Sequence, residues 1–244
     1  MSSPALAIGT IEVGHHITKK FLGVTLNIDT LYTTVIAGLV VVGLGLYLRR
    51  RITSGVPGGV QLIFETVTGQ IERQVATTMG LRTAPFVVPL AVTLFLFILV
   101  ANWVSVIPSG HNPEYLPSPT ADVNLVYAMA LLVIVWVHVT GVRKRGLLTY
   151  LKHFSKPYLW LTPFNLIEEI ARPVSLALRL FGNIFSGGIM VALISLFPAY
   201  LLWGPNAVWK LFDMFIGLIQ AFIFALLTIL YFGFATSEEE EGGH

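Results

Sequence analysis

The chain has 244 residues, 55% hydrophobic and 11% charged, with 15 Lys or Arg against 13 Asp or Glu and a mean hydropathy of +0.77. Soluble domains are about 25% charged, so this composition excludes a water-soluble domain and points to one integral membrane domain in lipid. With no cysteine, disulfides, Cys-ligated metal centres and thiol chemistry are excluded, and a formal net charge of +2 provides no nucleic-acid-binding face.

A transmembrane helix needs about 20 apolar residues to cross roughly 30 Å of hydrocarbon. Residues 1–30 lack the basic region, short apolar core and small-residue cleavage site of a signal peptide, and are expected to form an external N-terminal segment. The first uncharged stretch, 31–48, ends at Arg49-Arg50-Arg51. Residues 58–82 follow, with Ile63, Val67, Ile71, Val75 and Met79 at steps of four and Glu65, Glu72 and Arg73 elsewhere. That spacing predicts a helix lying on the cytoplasmic face of the membrane.

The second span, 83–107, is uncharged and carries Pro85 and Pro89 near its start, where helices tolerate proline. Four prolines in 108–122 predict an ordered external turn or cap. The third span, 123–142, contains His138, with structural and proton-relay readings both open, and runs into Arg143-Lys144-Arg145. The fourth, 163–202, holds Arg179, the one charge in its apolar part, 173–204. Continued helically to 204, that part is about 48 Å long, so it must tilt, kink or lie partly inside protein. The fifth, 208–236, holds Asp213 in its apolar part, 211–236, and leads to the acidic tail 237–244. The expected architecture is therefore an all-α membrane protein of five spans plus one interfacial helix. No internal repeat stands out.

Lys and Arg beside span ends stay cytoplasmic. Arg49 to Arg51, Arg73, Arg82, Arg143 to Arg145, Lys152 and Lys156 fall on one side of a five-span arrangement, and Lys19, Lys20 and Lys210 on the other. The amino terminus is therefore expected outside and the carboxyl terminus in the cytoplasm.

A charge at mid-membrane costs about 2.5–3.5 kcal/mol on insertion scales, which makes it a functional candidate by default. Arg179 cannot be deprotonated in a protein, and its own chain supplies no mid-membrane acid. Its partner is expected on another protein. At 100° per residue Glu168, Arg172, Ser175, Arg179, Asn183 and Ser186 fall within an arc of about 60–80°, one polar face along the fourth span. Asp213, Gly217 and Gln220, spaced four and three, share a face of the fifth. Two such helices, joined by a turn around Gly204-Pro205-Asn206, would enclose a wet path that a fixed positive charge interrupts. Structural readings stand beside this one: Asn183 and Gln220 as interhelical glue worth about 0.6 kcal/mol each, Asp213 as an interfacial partner of Lys210, and Glu168 and Glu169 as surface companions of Arg172.

FNLIEEIARPVSLALRLFGNIFSGG, 164–188, resembles the most distinctive motif of the a-subunit family of the F-type ATP synthase membrane sector. QAFIFALLTILY, 220–231, resembles its carboxy-terminal motif, and SPTADVN, 118–124, its external-loop signature. The resemblance implies that the last two long helices form a tilted hairpin against a ring of c subunits with mid-membrane carboxylates, held in the bacterial plasma membrane beside b-type peripheral stalk subunits and the rest of the synthase. It implies that Arg179 is the stator arginine facing those carboxylates. Asn183 and Gln220 line the proton path, and Glu169 lies near the cytoplasmic side. Many bacterial members have an acid nine residues after the arginine and a His seven before the glutamine; here Gly188 and Asp213 stand at those positions. Asp213 is therefore expected to serve as the titratable group of the external path, with Glu169 and Arg172 near the cytoplasmic exit and Glu168 and Ser175 also counted among the proton-translocation residues.

The expected function is proton conduction through two offset half-channels, coupled to ring rotation and so to ATP synthesis. Protons are preferred to sodium as the carried ion. No Gly-rich phosphate loop with a Lys is present, so the chain is expected not to be an enzyme by itself and to hold no metal or cofactor. A secondary transporter binding an anion at Arg179 and a passive membrane scaffold are the alternative readings.

Overall fold

The computed structural model describes residues 18–21, 24–104, 119–146, 187, 190, 193–194, 196–198 and 200–236. Two strands, β1 (Thr18–Phe21) and β2 (Val24–Asn27), pair antiparallel from Thr18↔Asn27 to Phe21↔Val24. Among the described residues they are followed by α1 (Ile28–Arg51), α2 (Gly59–Thr78), α3 (Val87–Val104), a 3-10 turn at Pro119–Ala121, α4 (Val123–Arg145) and α5 (Trp203–Thr236). Of these, α1, α3, α4 and α5 are long and apolar enough to cross a membrane. Most of the expected span 163–202 lies outside the described residues. Residues 187, 190, 193 and 194 are helical, but 196–198 and 200–202 form bends and turns with i→i+3 bonds such as Leu201 N–H to the Pro198 carbonyl, so helix does not continue to the expected 202. The hairpin amends the all-α expectation. Its strands of four residues are too short for alternation to show in the sequence, although Thr, Val and Phe suit extended backbone.

Helix ends follow from local chemistry. Asp29 sits in the first turn of α1 and Arg49, Arg50 and Arg51 in its last, each charge complementing the helix dipole. These polar turns carry the helix beyond the apolar stretch 31–48. In α3, Pro89 occupies the first turn, where its missing N–H has no intrahelical partner to lose. Asp122 caps α4 by accepting from the Asn124 backbone N–H, and Gly146, at φ 78°, ends it. Residues 204–206, expected as a turn, form the first helical turn of α5 instead. Pro205 is pre-set for a helix start.

The direction of each helix is fixed by contacts at its ends. Asn27 at the start of α1 meets Asp122 at the start of α4, and Asn102 near the end of α3 meets Gly217 in the first half of α5. At the opposite end, Phe86 stacks on Trp136 at 5.6 Å and meets Phe232 edge-on at 5.4 Å, and Lys144 Nζ donates to the Thr236 carbonyl at 3.2 Å. Thus α1, α4 and α5 run one way and α3 the other. The core gathers around α3, where Val87, Ala91, Phe95 and Ile98 are buried with Val133 and Val137 of α4 and Phe224, Ile229 and Phe232 of α5. Leu31, Val35, Leu39, Val42 and Leu46 of α1 are exposed, as a lipid-facing stripe requires.

Helix α2 packs on α3 and α5. Ile71 and Val75 are buried, whereas Ile63 is 66% exposed. A step of four overshoots a helical turn by about 40°, so the series of apolar residues drifts off the buried face. Phe64 and Val67 complete that face against the core. At its end α2 comes so near α5 that a Cβ on Gly233 would lie 2.6 Å from Thr78 Cγ2. Gly233→Ala is expected to destabilise the protein by about 1–3 kcal/mol, as overpacking does. Thr78→Ser, which removes Cγ2 and keeps the hydroxyl, should relieve it. Detergent-denaturation midpoints of the single and double variants check both.

Candidate functional site

Asp213, Gly217 and Gln220 lie on one face of α5, as their spacing requires. Asp213 is half-buried, with Lys210 one turn before it, and Gly217 is buried. Gln220 is 4% exposed, and its Oε1, also buried, has no hydrogen-bond partner among the described residues. An unpaired buried acceptor costs about 1–3 kcal/mol, so packing alone does not account for an amide here. Two turns further on, Thr228 turns its hydroxyl back to the Phe224 carbonyl at 2.9 Å, satisfied within its own helix.

The wall facing this stretch comes from α3. Asn102 Nδ2 donates to the Gly217 carbonyl at 3.3 Å, and the neighbouring Trp103 Nε1 donates to the Met214 carbonyl at 3.2 Å. Two adjacent side chains of α3 therefore hold carbonyls on successive turns of α5. A Cβ on Gly217 would lie 2.8 Å from Asn102 Cβ, so the helices can approach this closely only with glycine there. The Thr120 hydroxyl, in a residue 1% exposed, donates to Asn102 Oδ1.

Two residues on, Asp122 joins the ends of α1 and α4. Its carboxylate accepts from Asn27 Nδ2 at 2.7 Å, from the Asn124 N–H at 2.9 Å and from Asn124 Nδ2 at 3.0 Å. Burial opposes its charge. Hydrogen bonds from Asn27, the Asn124 backbone and the Thr30 and Asn124 side chains outweigh that penalty and hold its pKa below the usual carboxylate value. A depressed folded-state pKa contributes stability above the unfolded value, about 3.9, that is lost as pH falls through the folded value. The cluster therefore stays intact in mild acid. Asp122→Asn, which sets an amide N–H2 against a donor, is expected to lower stability by about 1–3 kcal/mol and to flatten the acid limb of the stability profile. Denaturation midpoints between pH 3 and pH 7 check this, the pH limits being about the carboxylate range.

Of the residues expected from sequence, Gln220 and Asp213 take places on one face of α5. Glu168, Glu169, Arg172, Ser175, Arg179 and Asn183 lie outside the described residues. His138 Nδ1 donates to the Ile134 carbonyl at 2.8 Å. Asn102 and Thr120 were not singled out by sequence. The available signal was that Asn102 is the one amide in 83–107.

Residues 31–233 match the family described as ATP synthase A chain. The chain belongs to that family. It is 55% identical over 243 residues to an ATP synthase subunit a of Acidothermus cellulolyticus, covering 100% of this chain and 88% of the relative. Similarity to the Mycobacterium bovis subunit a is 55% identity over 239 residues, 95% of this chain and 96% of the relative. The Streptococcus agalactiae subunit a is 34% identical over 232 residues, 92% of this chain and 97% of the relative. The matched region includes α1 from its first turn, all of α2, α3 and α4, and α5 as far as Gly233, so the α3–α5 contact lies within the family's shared part.

Proposed function

We propose that this chain conducts protons through two offset half-channels separated by Arg179, coupling proton flow to rotation of a c-subunit ring and so to ATP synthesis. As a family member it is a non-catalytic, ion-translocating membrane subunit of the ATP synthase complex. The observation that carries the reading is Gln220: a buried amide whose oxygen has no partner among the described residues, on the face that also bears Asp213.

Protons enter from outside past Asp213, Gln220 and Asn183 and neutralise a ring carboxylate, which can then face lipid. After nearly a full turn the carboxyl meets the second path, near Glu169 and Arg172, and releases its proton to the cytoplasm; Glu168 and Ser175, on the same helix face as Arg172, are further proton-path candidates. Arg179 keeps the paths apart, because an adjacent cation favours the ionised carboxylate. Each charge crossing the potential delivers about 2.3 kcal/mol per 100 mV, and rotation sums several such steps for each ATP. The ring and the b-type stalk subunits are the partners in the bacterial plasma membrane, with the amino terminus outside and the carboxyl terminus in the cytoplasm. Supporting a fifth crossing by 163–202, α4 and α5 run in the same direction, which an odd number of crossings between them accommodates.

Gln220→Leu distinguishes transport from packing. Removing an unpaired buried oxygen should raise stability by about 1 kcal/mol, while ATP-driven acidification of inverted vesicles falls sharply. The tagged variant should still purify with the ring of small hairpin subunits. Undiminished acidification, or purification of the wild-type chain without such a ring, would contradict the proposal.

A further inference from the structure

We infer that Asn102 is a positioning residue for proton entry, oriented by Thr120 so that its amide holds the turn of α5 between Asp213 and Gln220. The inference rests on the proton-path reading above and adds to it a residue pair from outside the last two helices.

An asparagine amide presents an acceptor at one end and donors at the other. In Asn102 both ends are engaged with different elements: Oδ1 accepts from Thr120 before α4, and Nδ2 donates to the Gly217 carbonyl of α5. The Thr120 donor therefore decides which way round the amide sits. With its oxygen turned to Thr120, its nitrogen must face Gly217. A reversed amide would put oxygen against the Gly217 carbonyl oxygen, two acceptors in contact. Thr120 is 1% exposed, so loss of its hydroxyl is not readily made good by bulk water.

The turn held in this way is the one on which the proposed path depends. Gly217 lies four residues after Asp213 and three before Gln220, on the same face. Side chains lean toward the helix N-terminus, which brings the Gln220 amide back beside the Gly217 turn. The unpaired Gln220 Oε1 thus sits one turn from a carbonyl held by a second helix. The Trp103 bond to Met214 and the absence of a Cβ at Gly217 fix the separation of α3 and α5. Asn102, clamped by Thr120, fixes the rotation and depth of the polar groups. Thr120 and Asn102 touch no transported proton in this scheme; they act through α5.

The test uses the whole complex in inverted vesicles and compares Thr120→Val, which keeps the shape and removes the donor, with Thr120→Ser, which keeps the donor. Passive proton conduction after removal of the ATP-hydrolysing sector, and ATP-driven acidification at matched hydrolysis rate, are read for both, with immunoblots for insertion and assembly. Loss of one buried hydrogen bond predicts a roughly fivefold fall in conduction for Thr120→Val, with wild-type assembly, and recovery in Thr120→Ser. Unchanged conduction in Thr120→Val would overturn the inference, as would equal loss in both variants or loss that only tracks reduced assembly. Arg179→Ala, run in parallel, separates the two levels. Its failure to pump alongside a normal Thr120→Val removes the positioning role and leaves the half-channel proposal standing. Normal pumping by Arg179→Ala removes that proposal itself.

Discussion

Arg179→Lys is expected to abolish proton-driven ATP synthesis in a complex that still inserts and assembles. The two side chains carry the same charge in water but not in a dry interface. A guanidinium stays protonated in any protein environment, whereas an ammonium on a flexible stem loses its proton when desolvated. The proposed barrier works only if the charge is permanent, because its two tasks are to keep protons from passing between the half-channels and to hold the facing ring carboxylate ionised. A neighbouring cation lowers a carboxylate pKa by about 1–3 units, so a neutral amine would slow proton release by about ten- to a thousandfold. Synthesis at the wild-type rate in the Lys variant would contradict the barrier argument.

Asp213→Asn is expected to leave the fold in place and to reduce proton entry by about a hundredfold, at the low end of what a positioned acid or base contributes to proton transfer. Asparagine has nearly the same shape, so the half-buried site beside Lys210 keeps its packing. It cannot exchange a proton. With Gly at position 188, the proposed mechanism assigns the carboxylate of the external path to Asp213. Passive conduction through the membrane sector should fall with ATP-driven pumping, and Asp213→Glu should recover part of both. Full conduction in the Asn variant would remove Asp213 from the mechanism.

Much of the helical frame was legible because lipid imposes a simple rule: α1, α3, α4 and α5 are each built on an apolar run, and their ends are marked by Arg49 to Arg51, Pro89, Asp122 and the basic cluster at 143–145. Local rules misjudged Pro205, which reads as a turn in isolation yet lies in the first turn of α5. The α5 half of the site was visible as periodicity, since Asp213, Gly217 and Gln220 follow the helical repeat. The α3 half was not. Asn102 and Gly217 are 115 residues apart, and nothing local to either announces that a glycine on one helix makes room for an amide on another. Thr120 is similarly ordinary as a residue and gains its meaning from the Asn102 oxygen it meets.

ATP-driven acidification of inverted membrane vesicles carrying Arg179→Ala, with immunoblots for insertion and complex assembly, puts the two-half-channel account to its sharpest trial. The account predicts an assembled complex that hydrolyses ATP and does not pump. Pumping at the wild-type rate in that complex would contradict it.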